Sequence, residues 1–110
     1  MTRREDVCER LGVTPDPPSA DSRLGIAHNA RESDLWPLNG LRHRPERGTS
    51  GWYLWRGETL SQAEDFFASL HTVHVPDWCP EAVRFLALPP GWRFLLAPGQ
   101  EDVWYDATLV

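Results

Sequence analysis

The segment Gly51-Trp52-Tyr53-Leu54-Trp55-Arg56-Gly57-Glu58 decides the fold of this chain. Three aromatic residues and a leucine lie between two glycines, and aromatic side chains favour the pleated, half-buried surface of a strand. Successive side chains of a strand point to opposite faces of its sheet. Trp52, Leu54 and Arg56 therefore share one face. Tyr53 and Trp55 share the other, so the segment predicts a central strand with apolar contacts on both sides.

The composition is that of a small globular protein. A length of 110 residues predicts a single domain over residues 1–110, and 41% hydrophobic residues with six tryptophans can form one core. The net charge of −5 argues against a nucleic-acid binder and favours a basic partner. The chain contains no lysine, which excludes a phosphate-loop lysine and a Schiff-base lysine.

Two further features concern location. Cys8 and Cys79 are too few for a disulfide framework, and Met1 is followed by charged residues rather than by the apolar run of a signal peptide. No segment approaches the roughly 20 apolar residues that a membrane span needs. We therefore expect a cytoplasmic protein with reduced thiols and no membrane contact.

Turn residues and apolar periodicity divide the chain into short elements. Capping-box patterns open predicted helices over residues 3–11 and 62–70, and a third helix follows Cys79 and ends before Pro89. Strands are predicted over residues 23–28, 41–44, 52–56, 71–75, 92–97 and 103–106. Short connections favour antiparallel pairing. The predicted class is α+β, an antiparallel sheet of about five or six short strands with two or three short helices packed mainly on one face.

Histidine and cysteine residues are the candidates for metal ligands and nucleophiles. His71, His74 and Cys79 lie close together and Cys8 could add a fourth ligand, but their spacing is irregular for a structural zinc site. Cys79 with His43 or His71 would be the pair for nucleophilic catalysis, yet no cysteine-hydrolase signature is present. Both cysteines fall on apolar helix faces, where cysteine usually acts as a small hydrophobe. We predict no metal, no cofactor and no catalytic residue.

Two groups of charged residues are candidates for a functional role. Glu101, Asp102 and Asp106 surround a predicted hairpin turn, where they could act in acid–base chemistry, solvate the turn or contact a basic protein. The basic run comprises Arg42, His43, Arg44 and Arg47. It could bind phosphate or carboxylates, but the net negative charge favours a solvated loop paired with acids such as Glu46.

Aromatic residues predict two different sheet faces. Trp52, Leu54, Trp92, Phe94 and Leu96 can face the helices. The opposite face would then carry Tyr53, Trp55, Leu95 and Trp104. Two outcomes remain open for that face. It is an exposed aromatic patch that marks an interface, or loops 13–22 and 29–37 fold over it.

Four motifs resemble those of a family of small bacterial proteins, the immunity-protein-33-like domain. They are NGLRHRPE at residues 39–46, SGWYLWRGE at 50–58, LPPGWRF at 88–94 and EDVWYD at 101–106. The Ser-Gly-Trp turn into a strand, followed by Gly-Glu, carries the resemblance most strongly. The resemblance spans residues 38–106.

This resemblance implies a non-enzymatic protein that binds and neutralises a cognate bacterial toxin. Together with the net charge, it suggests occlusion of a basic toxin such as a nuclease, with electrostatic steering. The expected contact residues are Trp55, Glu101, Asp102, Trp104 and Asp106. The alternatives are a small hydrolase or ligand-binding enzyme that uses His43, Cys79 or the acidic turn, and a domain that self-associates through its aromatic sheet face.

Overall fold

Six strands form one sheet in the computed structural model, which describes residues 7–32, 34–58 and 66–110. The strands are β1 (Arg23–Ala27), β2 (Leu38–Arg42), β3 (Thr49–Arg56), β4 (Phe67–His71), β5 (Trp92–Ala97) and β6 (Gln100–Tyr105). Their order across the sheet is β4-β1-β3-β2-β5-β6, so the strand that contains the Trp-Tyr-Leu-Trp segment is one of the two central strands. The α+β class and the number of strands are confirmed.

Helices in the described residues are short. They are α1 (Val7–Leu11), α2 (Val75–Trp78) and 3-10 turns at His28–Arg31, Thr72–His74, Pro80–Phe85 and Ala107–Leu109. The helix predicted over residues 3–11 contains α1, and its first four residues lie outside the described part of the chain. The third predicted helix is the 3-10 turn Pro80–Phe85. No described helix has both the length and the apolar character needed to cross a membrane.

The sheet is mixed, so the prediction of a purely antiparallel sheet is wrong. β1 and β3 pair in parallel, whereas the other neighbouring strands are antiparallel. The rule that short connections give antiparallel pairs applies to consecutive neighbours. Here β1 and β2 are consecutive in the chain but not neighbours in the sheet, because residues 28–37 cross the position of β3. β3 then lies between them and runs in the same direction as β1.

Two of the sequence predictions fail on either side of His71. The helix predicted over residues 62–70 is wrong from Phe67 onward, because Phe67–His71 form β4; its residues 62–65 lie outside the described chain. Phe67 and Leu70 have helical spacing, but on a strand they lie on opposite faces, and both faces are apolar here. The strand predicted over residues 71–75 is wrong too. Pro76 cannot donate to a strand ladder and instead lies in the first turn of α2.

One face of the sheet, which we call the core face, carries Ile26, Leu54 and Phe94 and is covered by the helical segments. The main cluster joins residues of both helices to it, including Val7 and Val75. Phe85 of the turn Pro80–Phe85 stacks on Phe94 with ring centroids 4.2 Å apart. The prediction that helices pack mainly on one face is therefore confirmed, with Trp52 and Leu54 fully buried beneath them.

Arg56 also lies on the core face, where only 2% of its surface is exposed. Its Nε donates to the carbonyl oxygen of Ala30 at 2.9 Å, and its Nη1 donates to that of Leu35 at 3.2 Å. Its Nη2 contacts Cys79 Sγ at 3.5 Å and Glu81 Oε2 at 2.5 Å. One guanidinium thus joins three separate segments of the covering layer to β3.

Arg42 on β2 likewise joins separate segments of the covering layer to the sheet. Its Nε donates to the carbonyl oxygen of Ser50 at 2.9 Å, and its Nη1 donates to those of Asp16 at 2.6 Å and Leu88 at 2.7 Å. Burial lowers the pKa of Arg42, and the nearby charge of Asp16 partly offsets this effect. The prediction of a solvated basic loop is therefore wrong for Arg42, because irregular chain offers carbonyls that no helix satisfies.

Gly51 permits the close approach of β3 to the end of β2. Its φ is +91°, and a Cβ at this position would lie 2.0 Å from the carbonyl oxygen of His43. We expect Gly51→Ala to lower the free energy of unfolding by more than about 3 kcal/mol, because backbone strain and a backbone clash combine. Gly99→Ala is the control, since Gly99 has φ +75° with no described atom within 4 Å of its Cβ, and should cost only about 1–2 kcal/mol. Equal losses in urea unfolding would contradict this account.

Glu81 gives a pH-dependent test of the Arg56 contacts. Although burial alone would raise the pKa of Glu81, its hydrogen bond and charge interaction with Arg56 lower it below the ordinary 4.5. A lowered pKa stabilises the fold above pH 4.5, and this contribution is lost as the pH falls through the folded-state pKa. We expect Glu81→Gln to cost about 2 kcal/mol at pH 7. Unfolding curves measured at several pH values should show that the difference in stability between the parent protein and Glu81→Gln becomes smaller in acid. A difference in stability that stays constant with pH would contradict the assigned role of the Glu81 carboxylate.

Candidate functional site

The opposite face of the sheet, which we call the outer face, is the candidate site. The pairing register places one residue of each of five strands in a single row across it. The row runs Gly25, Tyr53, Leu41, Arg93, Trp104. The neighbouring row contains Trp55, Asn39, Leu95 and Asp102. The alternation predicted for the Trp52–Arg56 segment is therefore confirmed.

Part of this face is covered. Trp55 packs with Ala27 and Leu41, and Phe67 and Leu109 lie against this cluster. Trp55 is only 4% exposed as a result. The covering residues come from β4 and from the C-terminal turn Ala107–Leu109.

Loops 13–22 and 29–37 do not supply that cover. Val13 and Trp36, one from each loop, pack instead against the cluster on the core face. The alternative in which these two loops cover the outer face is therefore wrong.

Two aromatic side chains of the outer face remain accessible. Tyr53 is 38% exposed and Trp104 is 39% exposed. They lie in the same row with Leu41 and Arg93 between them, a separation of three strand spacings or about 14 Å. The face therefore presents two aromatic positions on one rigid scaffold.

Tyr53 is held by three neighbours. Its ring contacts Phe67 with centroids 5.1 Å apart and His43 with centroids 5.6 Å apart, both edge to face. Gly25 lies beneath it, since a Cβ there would come within 2.6 Å of Tyr53 Cδ1. A residue without a side chain on β1 thus lets the tyrosine ring lie flat over the neighbouring strand.

Three depressions meet at this tyrosine. The first, of about 170 Å³, is almost wholly apolar. Its lining is Leu41, His43, Tyr53, Trp55 and Phe67. A second, of about 200 Å³, extends toward Arg23 and Ser69. A third, of about 310 Å³, extends toward Arg44 and Glu46.

Trp55 lines the first depression but is almost wholly buried. Its indole Nε1 is buried and has no hydrogen-bond partner within the described chain. Buried donors are nearly always paired with an acceptor or with water. The predicted contact residue Trp55 therefore offers almost no surface for a partner.

The acidic hairpin is largely neutralised from within. Glu101 forms ion pairs with Arg10, at 2.7 Å, and with Arg84. The hydrogen bond from Arg84 is the main cause of a lowered pKa of Glu101, and Arg10 adds to it. Glu101 lies in register with Leu96, so it points to the core face and not toward Trp104.

Asp106 is also paired. Its carboxylate accepts from Thr108, which lowers its pKa most, and from Arg93 Nη1 at 3.1 Å. Arg93 lies over the ring of Trp104 at 5.4 Å. Asp102 accepts only from Gln100 among the described residues, at 2.9 Å. The five predicted contact residues are thus not one patch: Asp102, Trp104 and Asp106 lie at one edge of the outer face, apart from Trp55 and Glu101.

The structure does not bring together Cys79 and His43, the pair considered for nucleophilic catalysis. Cys79 is fully buried in the cluster on the core face, whereas His43 contacts Tyr53 on the outer face. Burial is the main cause of a raised pKa of Cys79, although Arg56 acts in the opposite direction. Across residues 7–32, 34–58 and 66–110, no three His, Cys, Asp or Glu side chains are grouped as metal ligands.

Sequence reasoning missed most of the surroundings of Tyr53. Two features of the sequence pointed to them: Gly25 within a predicted apolar strand, and Phe66 and Phe67, whose spacing fits a helix. Neither feature predicts that the segments containing Gly25 and Phe67 pair as strands. The position of Leu109 on this face depends on the C-terminal turn, which Asp106 caps by accepting from the amide of Thr108.

Thiol labelling tests the assignment of Cys79 as a core residue. A buried thiol with a raised pKa has little thiolate at neutral pH and little access to reagent. We expect Cys79 in the native protein to react with a maleimide only as fast as the protein unfolds, and to react at once in denaturant. Mass spectrometry of digested samples separates Cys79 from Cys8. Rapid native labelling of Cys79 would contradict its burial.

Comparison with known proteins places the chain in a family. No curated protein and no solved structure matches it. The family model described as the Imm33-like domain matches residues 3–106, which includes the N-terminal third in addition to the four motifs identified in the sequence. The chain therefore belongs to the Imm33-like domain family.

Proposed function

We propose that this protein is a non-enzymatic, cytoplasmic immunity protein that binds a toxin and neutralises it by occlusion. The observation that carries the proposal is the accessible aromatic surface around Tyr53 on the outer face. Membership of a family whose name refers to immunity supports the biological role. The surface itself supports the mode of action, which is binding to another protein.

Aromatic residues at a rigid, partly exposed position are typical of interface hot spots. Tyr53 fits this description, because Phe67, His43 and Gly25 fix its ring while more than a third of the residue stays accessible. Trp104 is a second accessible aromatic in the same row. A partner that spans both positions would cover four strands of the sheet.

The size of the apolar depression favours a protein partner over a small substrate. Ligand sites usually enclose about 300–1,000 Å³. The depression under Trp55 and Tyr53 has about 170 Å³, which suits one inserted side chain. The described lining of this depression contains no carboxylate, serine, threonine or cysteine that could act together with His43.

The preference for a basic toxin now rests on the net charge of −5 alone. Glu101 and Asp106 already hold arginines of this chain, so they have little charge left for a partner. Asp102 and Trp104 keep their place as contact residues at the β6 edge.

Coexpression with the product of the neighbouring gene tests the proposal. We expect that product to be toxic when it is expressed alone, harmless when coexpressed, and recovered in a complex with this protein. If no neighbouring product is toxic and none copurifies, the immunity function is wrong.

A pair of matched variants tests the surface. The chain has two exposed tyrosines: Tyr53 on the outer face and Tyr105, which packs on Trp92 at the core-face edge of β6. We expect Tyr53→Ala to weaken toxin binding by at least about 2 kcal/mol, as hot-spot truncations do, and Tyr105→Ala to leave it unchanged. Calorimetry of the purified complex measures both. Equal losses, or a loss only for Tyr105→Ala, would contradict the assignment of the outer face.

A further inference from the structure

Three arginines beside the Tyr53 surface have no partner in the described chain. They are Arg23, Arg44 and Arg47. Every other described arginine is engaged by a carboxylate, a buried carbonyl or an aromatic ring. In a chain with net charge −5, three arginines grouped with a single carboxylate, Glu46, are unexpected. Their grouping at one place is therefore informative.

The fold brings the three together. Arg23 opens β1, and its amide donates to the carbonyl oxygen of Gly48 at 2.9 Å. This bond places the start of β1 against the β2–β3 turn, which contains Arg44 and Arg47. Arg23 lines the second depression and Arg44 lines the third. One carboxylate, Glu46, lines the third depression, so the two depressions together are lined by two arginines and one glutamate, and Arg47 lies in the same turn.

The apolar depression adjoins the two depressions that Arg23 and Arg44 line. Tyr53 lines all three depressions, and Phe67 lines the first and the second. Trp55 also lines the first depression with its ring, so this depression can take an apolar side chain.

We propose that this surface binds an acidic segment of the protein partner, with one apolar side chain in the first depression and carboxylates beside Arg23, Arg44 and Arg47. The proposal rests on the proposed function for the existence of a protein partner and adds the chemistry of the bound segment. Arginine pairs with carboxylates through two parallel hydrogen bonds, which gives both strength and orientation.

Acidic peptide is favoured over nucleic acid because of the rest of the molecule. A nucleic acid presents phosphates over its whole length and is repelled by a protein with net charge −5. A short acidic segment needs only the local excess of cations. Its apolar side chain also uses the depression, which a phosphate chain would leave empty.

Selection from a phage-displayed library of random short peptides, against the whole chain, tests this proposal. We expect enrichment of Asp and Glu next to one aromatic or branched aliphatic residue. Arg23→Glu and Arg44→Glu should each weaken binding of a selected peptide by about tenfold. Arg31→Glu is the matched control, because exposed Arg31 contacts only the ring of Trp78, and it should change nothing. All three variants should melt at the same temperature as the parent protein.

Other outcomes overturn the proposal. They are enrichment of basic or uncharged peptides, no enrichment, or equal binding by the Arg23→Glu and Arg44→Glu variants and the parent. If a random single-stranded DNA oligonucleotide binds the parent and these two variants weaken that binding, the surface binds nucleic acid instead. Failure here is distinct from failure of the proposed function: if Tyr53→Ala abolishes toxin neutralisation while the arginine variants do not, the immunity function stands and the acidic segment is wrong.

Discussion

Two buried guanidinium groups hold the covering layer onto the sheet. The segments over the core face are 3-10 turns and loops, and such chain leaves many carbonyl oxygens without an internal donor. Arg56 and Arg42 supply the donors, to Ala30, Leu35 and Glu81 in one case and to Asp16 and Leu88 in the other. Because these acceptors belong to segments far apart in sequence, each arginine fixes several connections at once.

This arrangement explains how a small domain with little helix keeps an ordered layer on one side of its sheet. An apolar residue at position 56 would leave the carbonyls of Ala30 and Leu35 buried and unpaired. A lysine offers one charged centre without the planar fork, so it could not reach donor positions that diverge as widely. The core face therefore depends on polar contacts as much as on apolar packing. The outer face lacks that layer, and Phe67 and Leu109 cover only part of it.

The sequence predicted local structure better than it predicted pairing. The alternation in Trp52–Arg56 follows from strand geometry alone, and strands β1, β3 and β5 were found for that reason. The parallel pairing of β1 with β3 depends on where residues 28–37 carry the chain, and no local pattern encodes that path. Phe67 and Leu70 fit a helix by spacing, and only the ladder with β1 makes them a strand.

The candidate site shows the same limit. That Tyr53 would lie opposite Trp52 was predictable from alternation, whereas the burial of Trp55 depends on Phe67 and Leu109, which approach from distant parts of the chain. Likewise, acidic residues in a hairpin suggested a charged contact surface. Their charge is used internally, because Arg84, Arg10 and Arg93 happen to fall beside Glu101 and Asp106.

The net charge therefore does not describe how charged groups are paired at each place on the surface. Glu101 and Asp106, which were predicted to contact a partner, are paired within the chain, whereas Arg44 and Arg47 of the basic run have no ion-pair partner among the described residues. Ion pairs formed within the chain weaken the field that a partner feels at that place, while an unpaired cation keeps its full local effect. A molecule of net charge −5 can thus attract a basic protein at long range and still offer acidic side chains their best contacts beside Tyr53. The local arrangement of partners, and not the total charge, determines which segment fits the outer face.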